Sequence, residues 1–437
     1  MAIISHDSGA NATINNKEQS PETQTPSSTP VIRTPPPPPP PPPPPDGGLT
    51  AWLQVLAGHL IVFNTWGYII SFGIFQPYYE QQLALDPSAV SWIGSVQICL
   101  VLLVGAFSGR LFDAGYFRQM LVVGALLQLV GIFAASAATR YWQLFLAQGV
   151  CQGLGCGAIF APTVANTSTY FATRRTLAIS ASACGGATGG IVFPLIARNL
   201  LHSIGFGWTM RIMGFVVLAV YGIVLVCVRT RLAPRKAGAF IDTTAFQEAT
   251  YMLFAVSMFI TLWATYFVYF YARAYAVNVL KGSQVDSFNM LIVINAVGIP
   301  GRLVPAYLGD RYFGAVNVFL PTVFAMAVCV YAWIGVKTIT DEYIWIIFLG
   351  YFGAGIQGLF PATLAGLTKD LSKSGTRIGM IFSVVSIAAL TGPPLAGKLI
   401  DVRGGSYLGA QLWGGTCLVV GGLILAAAKF CSGKETA

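Results

Sequence analysis

The residues of this chain that could act on a solute are few, and most stand alone in apolar surroundings. Arg302 is foremost, because its planar fork of N–H donors matches a carboxylate. Counting back from Asp310, it should lie roughly 10–12 Å inside a membrane at 1.5 Å per helical residue. A charge at such depth costs about 2.5–3.5 kcal/mol on insertion scales, so it must face protein or water. Its other possible roles are snorkelling and locking a gate. Asn295, seven residues earlier, shares its helix face as a neutral hydrogen-bonding partner or an interhelical bond. Gln152 and Gln357 are further substrate-binding candidates or packing amides. Tyr266 and Tyr269 offer rings and hydroxyls to an aromatic solute, while Tyr271 reads as interfacial. His59 is either a proton relay or a packing histidine.

Three patterns resemble cofactor boxes and fail on context. Gly353–Gly358 fits GxGxxG and Gly153–Ala158 its variant, but neither follows a strand, so both read as packing glycines. Gly392–Leu399 imitates a phosphate loop, with Leu399 where Ser or Thr must reach magnesium. No cofactor is expected. The eight cysteines form no CxxC pair and there are three histidines, so neither a zinc site nor a disulfide framework is expected. Without paired His, Cys or carboxylate constellations, a membrane enzyme is disfavoured.

The elements holding these residues are apolar helices. Hydrophobic residues make up 55% of the chain and charged residues 9%, more apolar surface than a water-soluble fold can hide. Continuous stretches of about 20 residues suit helices crossing a hydrocarbon core, whereas a barrel needs short alternating strands. The chain is expected to be an all-α membrane protein with twelve transmembrane helices. These should lie near 51–75, 88–110, 117–138, 141–165, 176–200, 207–228, 247–271, 287–309, 315–336, 343–367, 376–399 and 407–430.

Charge placement orients them. With the N-terminus inside, about 17 of the 25 Lys and Arg residues fall on the cytoplasmic side. Arg174–Arg175, the Arg229/Arg231/Arg235/Lys236 cluster and Lys369/Lys373/Arg377 dominate it. These basic groups read as topology signals and lipid contacts, and no nucleic-acid partner is expected. Both termini should be cytoplasmic, in a monomeric plasma-membrane protein. Residues 1–46 form a Ser-, Thr- and Pro-rich tail expected to be disordered. Its run Pro35–Pro45 reads as a stiff spacer or a ligand for an SH3 or WW domain. Asn11 heads a glycosylation sequon that this topology leaves unused.

The chain repeats itself at a spacing of about 200 residues. Glycine runs precede Pro162 and Pro361; Pro194 with Arg198 is echoed by Pro394 with Lys398. Gly109-Arg110-Leu111-Phe112-Asp113 is echoed by Leu308-Gly309-Asp310-Arg311. Two six-helix pseudo-repeats follow, 47–228 and 247–430, joined by a linker at 229–246 and ending in a tail at 431–437. Such halves rocking about a midplane site give alternating access.

These loops resemble the cytoplasmic motif of the major facilitator superfamily. Asp46-Gly47-Gly48 before Trp52, Tyr170-Phe171-Ala172-Thr173-Arg174-Arg175 continuing to Gly185 and Gly189, and Gly301-Arg302 with Pro305 resemble its monocarboxylate porter branch in fungal form. The resemblance covers residues 46 to about 430. It implies a gate built on Gly109, Asp113, Asp310, Arg311, Arg174 and Arg175. Two family features are missing: no Lys or Arg lies between Ala51 and Glu80, and Gly298 stands where animal members have an acid. Transport should therefore respond weakly to pH unless His59 titrates. The expected function is a secondary carrier of a small organic solute, a carboxylate or a metabolite, with a possible coupling proton. The alternatives are an efflux carrier for a fungal secondary metabolite and a membrane sensor that has lost transport.

Overall fold

The computed structural model describes residues 43–82, 87–232, 241–367 and 374–435. The tail to Pro42, Arg235, Lys236, Lys369 and Lys373 lie outside them. Twelve helices among the described residues are long and apolar enough to cross a bilayer. They are α1 (Gly48–Gln76), α2 (Ala89–Asp113), α3 (Phe117–Ala135), α4 (Tyr141–Thr169), α5 (Arg175–Leu201) and α6 (Gly205–Cys227) in the first half. The second half contains α7 (Ala249–Asn278), α8 (Gln284–Phe313), α9 (Ala315–Gly335), α10 (Ile339–Leu367), α11 (Gly375–Val402) and α12 (Leu408–Cys431). No strand occurs among the described residues.

All boundaries but one fall within about four residues of the hydropathy estimate, and capping chemistry explains two of the early starts. α8 begins at Gln284 because Ser283 and Asp286 cap each other's backbone N–H groups at 3.1 and 2.9 Å. α10 begins at Ile339 because Thr338 and Asp341 do the same, at 3.1 and 3.0 Å. Both starts lie in polar sequence that hydropathy assigns to loops. The large difference is at the end of α7, which runs on to Asn278 and makes Arg273 helical.

Each half has its own apolar core, one drawn from residues 57–228 and the other mostly from 245–425. Large apolar side chains such as Phe215, Val226, Val328 and Phe348 stand exposed on outward faces, as lipid contact requires. The halves meet where α2 packs on α11 and α5 on α8. At Gly109 and Gly375 the two backbones come so close that a side chain on either would strike the other's carbonyl oxygen. Three spans contain a π-helical stretch, at Phe63–Gly67, Phe145–Gln152 and Gly309–Phe313. Such insertions often sit at functional positions, and these hold Asn64, Gln152 and Asp310.

Candidate functional site

Arg302 is 7% exposed and lies on α8 where that helix faces α5 and α10. Its Nη1 donates to the carbonyl of Gly298 at 3.1 Å, and its Nη2 to Oε1 of Gln357 at 2.7 Å. Nε is buried with no partner. No described carboxylate pairs with this guanidinium. Gly298 is the reason it folds back on its own helix: a Cβ there would lie 2.9 Å from Nη1. A glycine at this position thus makes room for the arginine.

The surroundings come from both halves. A side chain on Gly358 of α10 would meet Ser180 Oγ of α5 at 3.1 Å and Arg302 Cγ at 3.3 Å, so these two groups flank one glycine. Ser180 is fully buried and its hydroxyl has no partner. Cys184, one turn further along α5, directs its thiol at the Ile299 carbonyl at 3.8 Å. Tyr269 lies over Gly353, where a Cβ would be 2.7 Å from its hydroxyl. Asn295 donates to Leu291 O at 2.8 Å, and its Oδ1 lies against Gly190 of α5. The structure thus gathers Arg302, Gln357, Tyr269 and Asn295 around the junction of α5, α8 and α10. Sequence reasoning missed Ser180 and Cys184; their i, i+4 spacing on one face of α5 was the available signal.

Other candidates lie elsewhere. Gln152 is fully buried inside the first half, where its Oε1 accepts from Gln97 at 3.3 Å and its Nε2 has no partner. The chain there is π-helical, and each such insertion turns the following residues by about a quarter-turn relative to an α-helix. Gln152 consequently packs against Gly131 of α3 and is separate from the Arg302 cluster. Tyr266 packs against the second core. His59 joins α1 to α5, with Nδ1 3.1 Å from the Ala181 carbonyl and Nε2 3.0 Å from the Thr188 hydroxyl.

The loop-motif residues sit at one end of the molecule and cross between halves. Asp310, at the end of α8, accepts the backbone N–H groups of Thr176 at 3.1 Å and Leu177 at 2.7 Å, capping α5. Asp113, at the end of α2, stands in the corresponding place by α11, where a side chain on Gly375 would lie 2.8 Å from its carboxylate. A carboxylate at a helix N-terminus satisfies otherwise orphaned donors and complements the dipole. Arg175 adds a bond to the Ala365 carbonyl of α10 at 3.4 Å, whereas Arg174 and Arg311 are exposed.

The segment before α1 and the α4–α5 turn also touch. Asp46, at φ 52°, directs its Oδ1 to the N–H groups of Ala172 at 2.5 Å and Thr173 at 2.8 Å. Burial pushes its carboxyl up, but these amides and that of Arg174 outweigh it and hold the group below the usual carboxylate range. Trp52 then packs edge-on against Phe171 at 5.3 Å. Unforeseen from sequence is a clamp on the first turn of α11. Arg377 binds Asp242 at 2.9 Å and both oxygens of Glu248 at 2.5 and 2.9 Å, over the Tyr251 ring.

Residues 56–393 match the family described as Major Facilitator Superfamily. A protein named "MFS-type transporter" from Gibberella zeae is 47% identical over 386 residues, which cover 88% of this chain and 87% of that one. The aspyridones efflux protein apdF of Emericella nidulans is 32% identical over 390 residues, 89% of this chain and 79% of its own. Among solved structures, the transporter FucP in its outward conformation superposes with a TM-score of 0.66 at 15% identity, covering 87% of this chain and 99% of that one. The human organic anion transporter MFSD10 superposes at 0.69 with 12% identity, covering 86% and 98%; at such identities the likeness concerns the fold. The chain is a twelve-helix transporter of the Major Facilitator Superfamily.

Proposed function

We propose that the transported solute is a small organic anion, a carboxylate or an acidic metabolite, held by Arg302. The observation that carries this reading is a buried guanidinium, between the two halves, with which no carboxylate among the described residues pairs. Arginine keeps its charge in any environment the protein offers. Two of its donors are taken by neutral oxygens and Nε is free, so a solute carboxylate supplies both the missing charge and the missing acceptor. Ser180, Gln357, Asn295 and Tyr269 stand close enough to sort solutes by hydrogen bonding and ring contact.

The end bearing Asp113 and Asp310 is assigned to the cytoplasm, with both termini, in the plasma membrane; the Lys and Arg bias supports this. The halves 47–228 and 247–430, joined by the linker 229–246, rock about a site near the midplane. Opening toward the cytoplasm requires Asp310 to leave α5 and Asp113 to part from α11. Export is the second reading for direction, and the name of the 32% identical aspyridones efflux protein is compatible with it. Uptake and efflux of a labelled organic-acid panel, in cells lacking or overexpressing the protein, test both readings. Movement of neutral solutes only would reject the anion reading.

A further inference from the structure

Arg273 lies on α7 close to the end of that helix at Asn278, on the side of the molecule opposite Asp113 and Asp310. Among the described residues no hydrogen bond or ion pair engages it. Its guanidinium is laid across Gly73 of α1, in the other half. A Cβ on that glycine would strike Nη2 and come within 3.2 Å of Cζ and Nη1. Gly73 thus clears room for Arg273 as Gly298 does for Arg302.

A snorkelling arginine turns its head toward the lipid headgroups. Arg273 reaches from one half to the other instead, so it faces the cleft between them, and its side chain is only half-buried there. A guanidinium keeps its proton in any environment the protein offers, and a charge within a span is rare without a partner or a task. The described acids toward this end are committed or remote. Asp286 accepts from the Ser283 N–H at 2.9 Å and from Tyr343 at 3.2 Å, Asp341 caps α10 at 3.0 Å, Glu342 is fully buried on α10, and Asp401 is exposed.

The two unpaired arginines are joined by one line of residues. Arg273 stands one turn beyond Tyr269 on the same face of α7. Tyr269 lies over Gly353 of α10, and Gln357, one turn along from Gly353, accepts from Arg302. The guanidinium groups are therefore two turns apart along the bundle, ~11 Å by the helical pitch before side-chain reach shortens the gap. We propose that Arg273 is a second anion-binding residue of this cleft, so that the preferred solute carries two acidic groups, one for each guanidinium. The proposal rests on the reading of Arg302 as an anion anchor and names the class of anion. One carboxylate enters the fork of each arginine, and Tyr269 and Gln357 flank the chain between them. A solute with a single carboxylate leaves one of the two charges unmatched.

The test is calorimetric binding to the full chain in lipid nanodiscs, using straight-chain diacids from succinate to azelate, each beside its own monomethyl ester. The ester keeps the chain and one carboxylate, so the ratio of the two affinities isolates the second charge. In the wild type at least one diacid should bind about tenfold more tightly than its ester, the strength of a hydrogen bond between charged groups. R273Q should bring that diacid down to the affinity of its ester. R273M, which keeps an apolar stem and serves should R273Q fail to fold, should do the same. A wild type that prefers no diacid to its ester overturns the proposal. An R273Q or R273M protein that keeps the wild-type ratio also overturns it, because Arg273 would then only pack α7 against α1. R302Q separates this outcome from failure of the anion anchor: it should abolish binding of the esters. Esters that bind R302Q as they bind the wild type would end the Arg302 reading, while the ratio still judges Arg273. A wild type that binds neither diacids nor esters overturns both.

Discussion

Asp310 of the second half lies 2.7 Å from the backbone N–H of Leu177 in the first. This bond and its twin to Thr176 exist only while the halves are together at this end. Removing a capping carboxylate costs about 1 kcal/mol, which is roughly a fivefold change in an equilibrium. D310A should therefore open this end more often. Alkylation of Cys184 by an impermeant maleimide applied at this face should accelerate about fivefold; an unchanged rate would show that the cap does not hold the gate.

A side chain at the glycine crossing should have the same direction of effect by a steric route. Cβ on Gly109 would strike the Gly375 carbonyl, and Cβ on Gly375 the Gly109 carbonyl. In G109A and G375A the closed form should be lost, leaving Cys184 open to label from this face and transport impaired. Wild-type transport by both would mean that α2 and α11 do not need this contact.

The clamp on α11 separates two energetic regimes. Arg377 and Asp242 are 7% and 8% exposed, so R377A takes the guanidinium from a buried carboxylate, leaves it only neutral donors such as Thr244, and should cost about 3 kcal/mol. Glu248 is 42% exposed, and solvent screening should hold the cost of E248Q to about 1 kcal/mol or less. Thermal unfolding in detergent measures both; equal shifts in Tm would contradict the assignment.

Asp46 supplies a pH test. Its carboxyl is held below the ordinary range in the folded protein, so its stabilising contribution is present above the unfolded value of about 3.9. That contribution fades as pH falls through the lower folded value. The 46–52 segment should therefore detach in acid below about pH 4, and D46A should detach it at neutral pH. Trp52 fluorescence, sensitive to loss of its Phe171 contact, reports the change; a signal unaffected by either treatment would rule the anchor out.

Hydropathy was enough to read the twelve helices, because a bilayer imposes length and apolarity on every span. The site was legible in part. Asn295 and Arg302 share a face of α8 by their seven-residue spacing, and Gln357 and Tyr269 meet them from α10 and α7. Gln152, read as either a site residue or a packing amide, packs inside the first half at the end of a π-helical stretch, of which hydrophobic periodicity carries no mark. The start of α10 lies four residues before the expected 343. The Thr338–Asp341 cap that starts the helix earlier is local hydrogen bonding, to which hydropathy is blind.

The central claim is that Arg302 anchors a solute anion. Its most direct test is transport of the best-moved acid of the panel by R302K and R302Q, compared with wild type at equal membrane abundance. R302K keeps the charge but loses the fork, so it should transport with weakened apparent affinity. R302Q removes the charge and should not transport the acid at all. If both variants move it at the wild-type rate with unchanged KM, Arg302 is a packing residue and the account of the site is wrong.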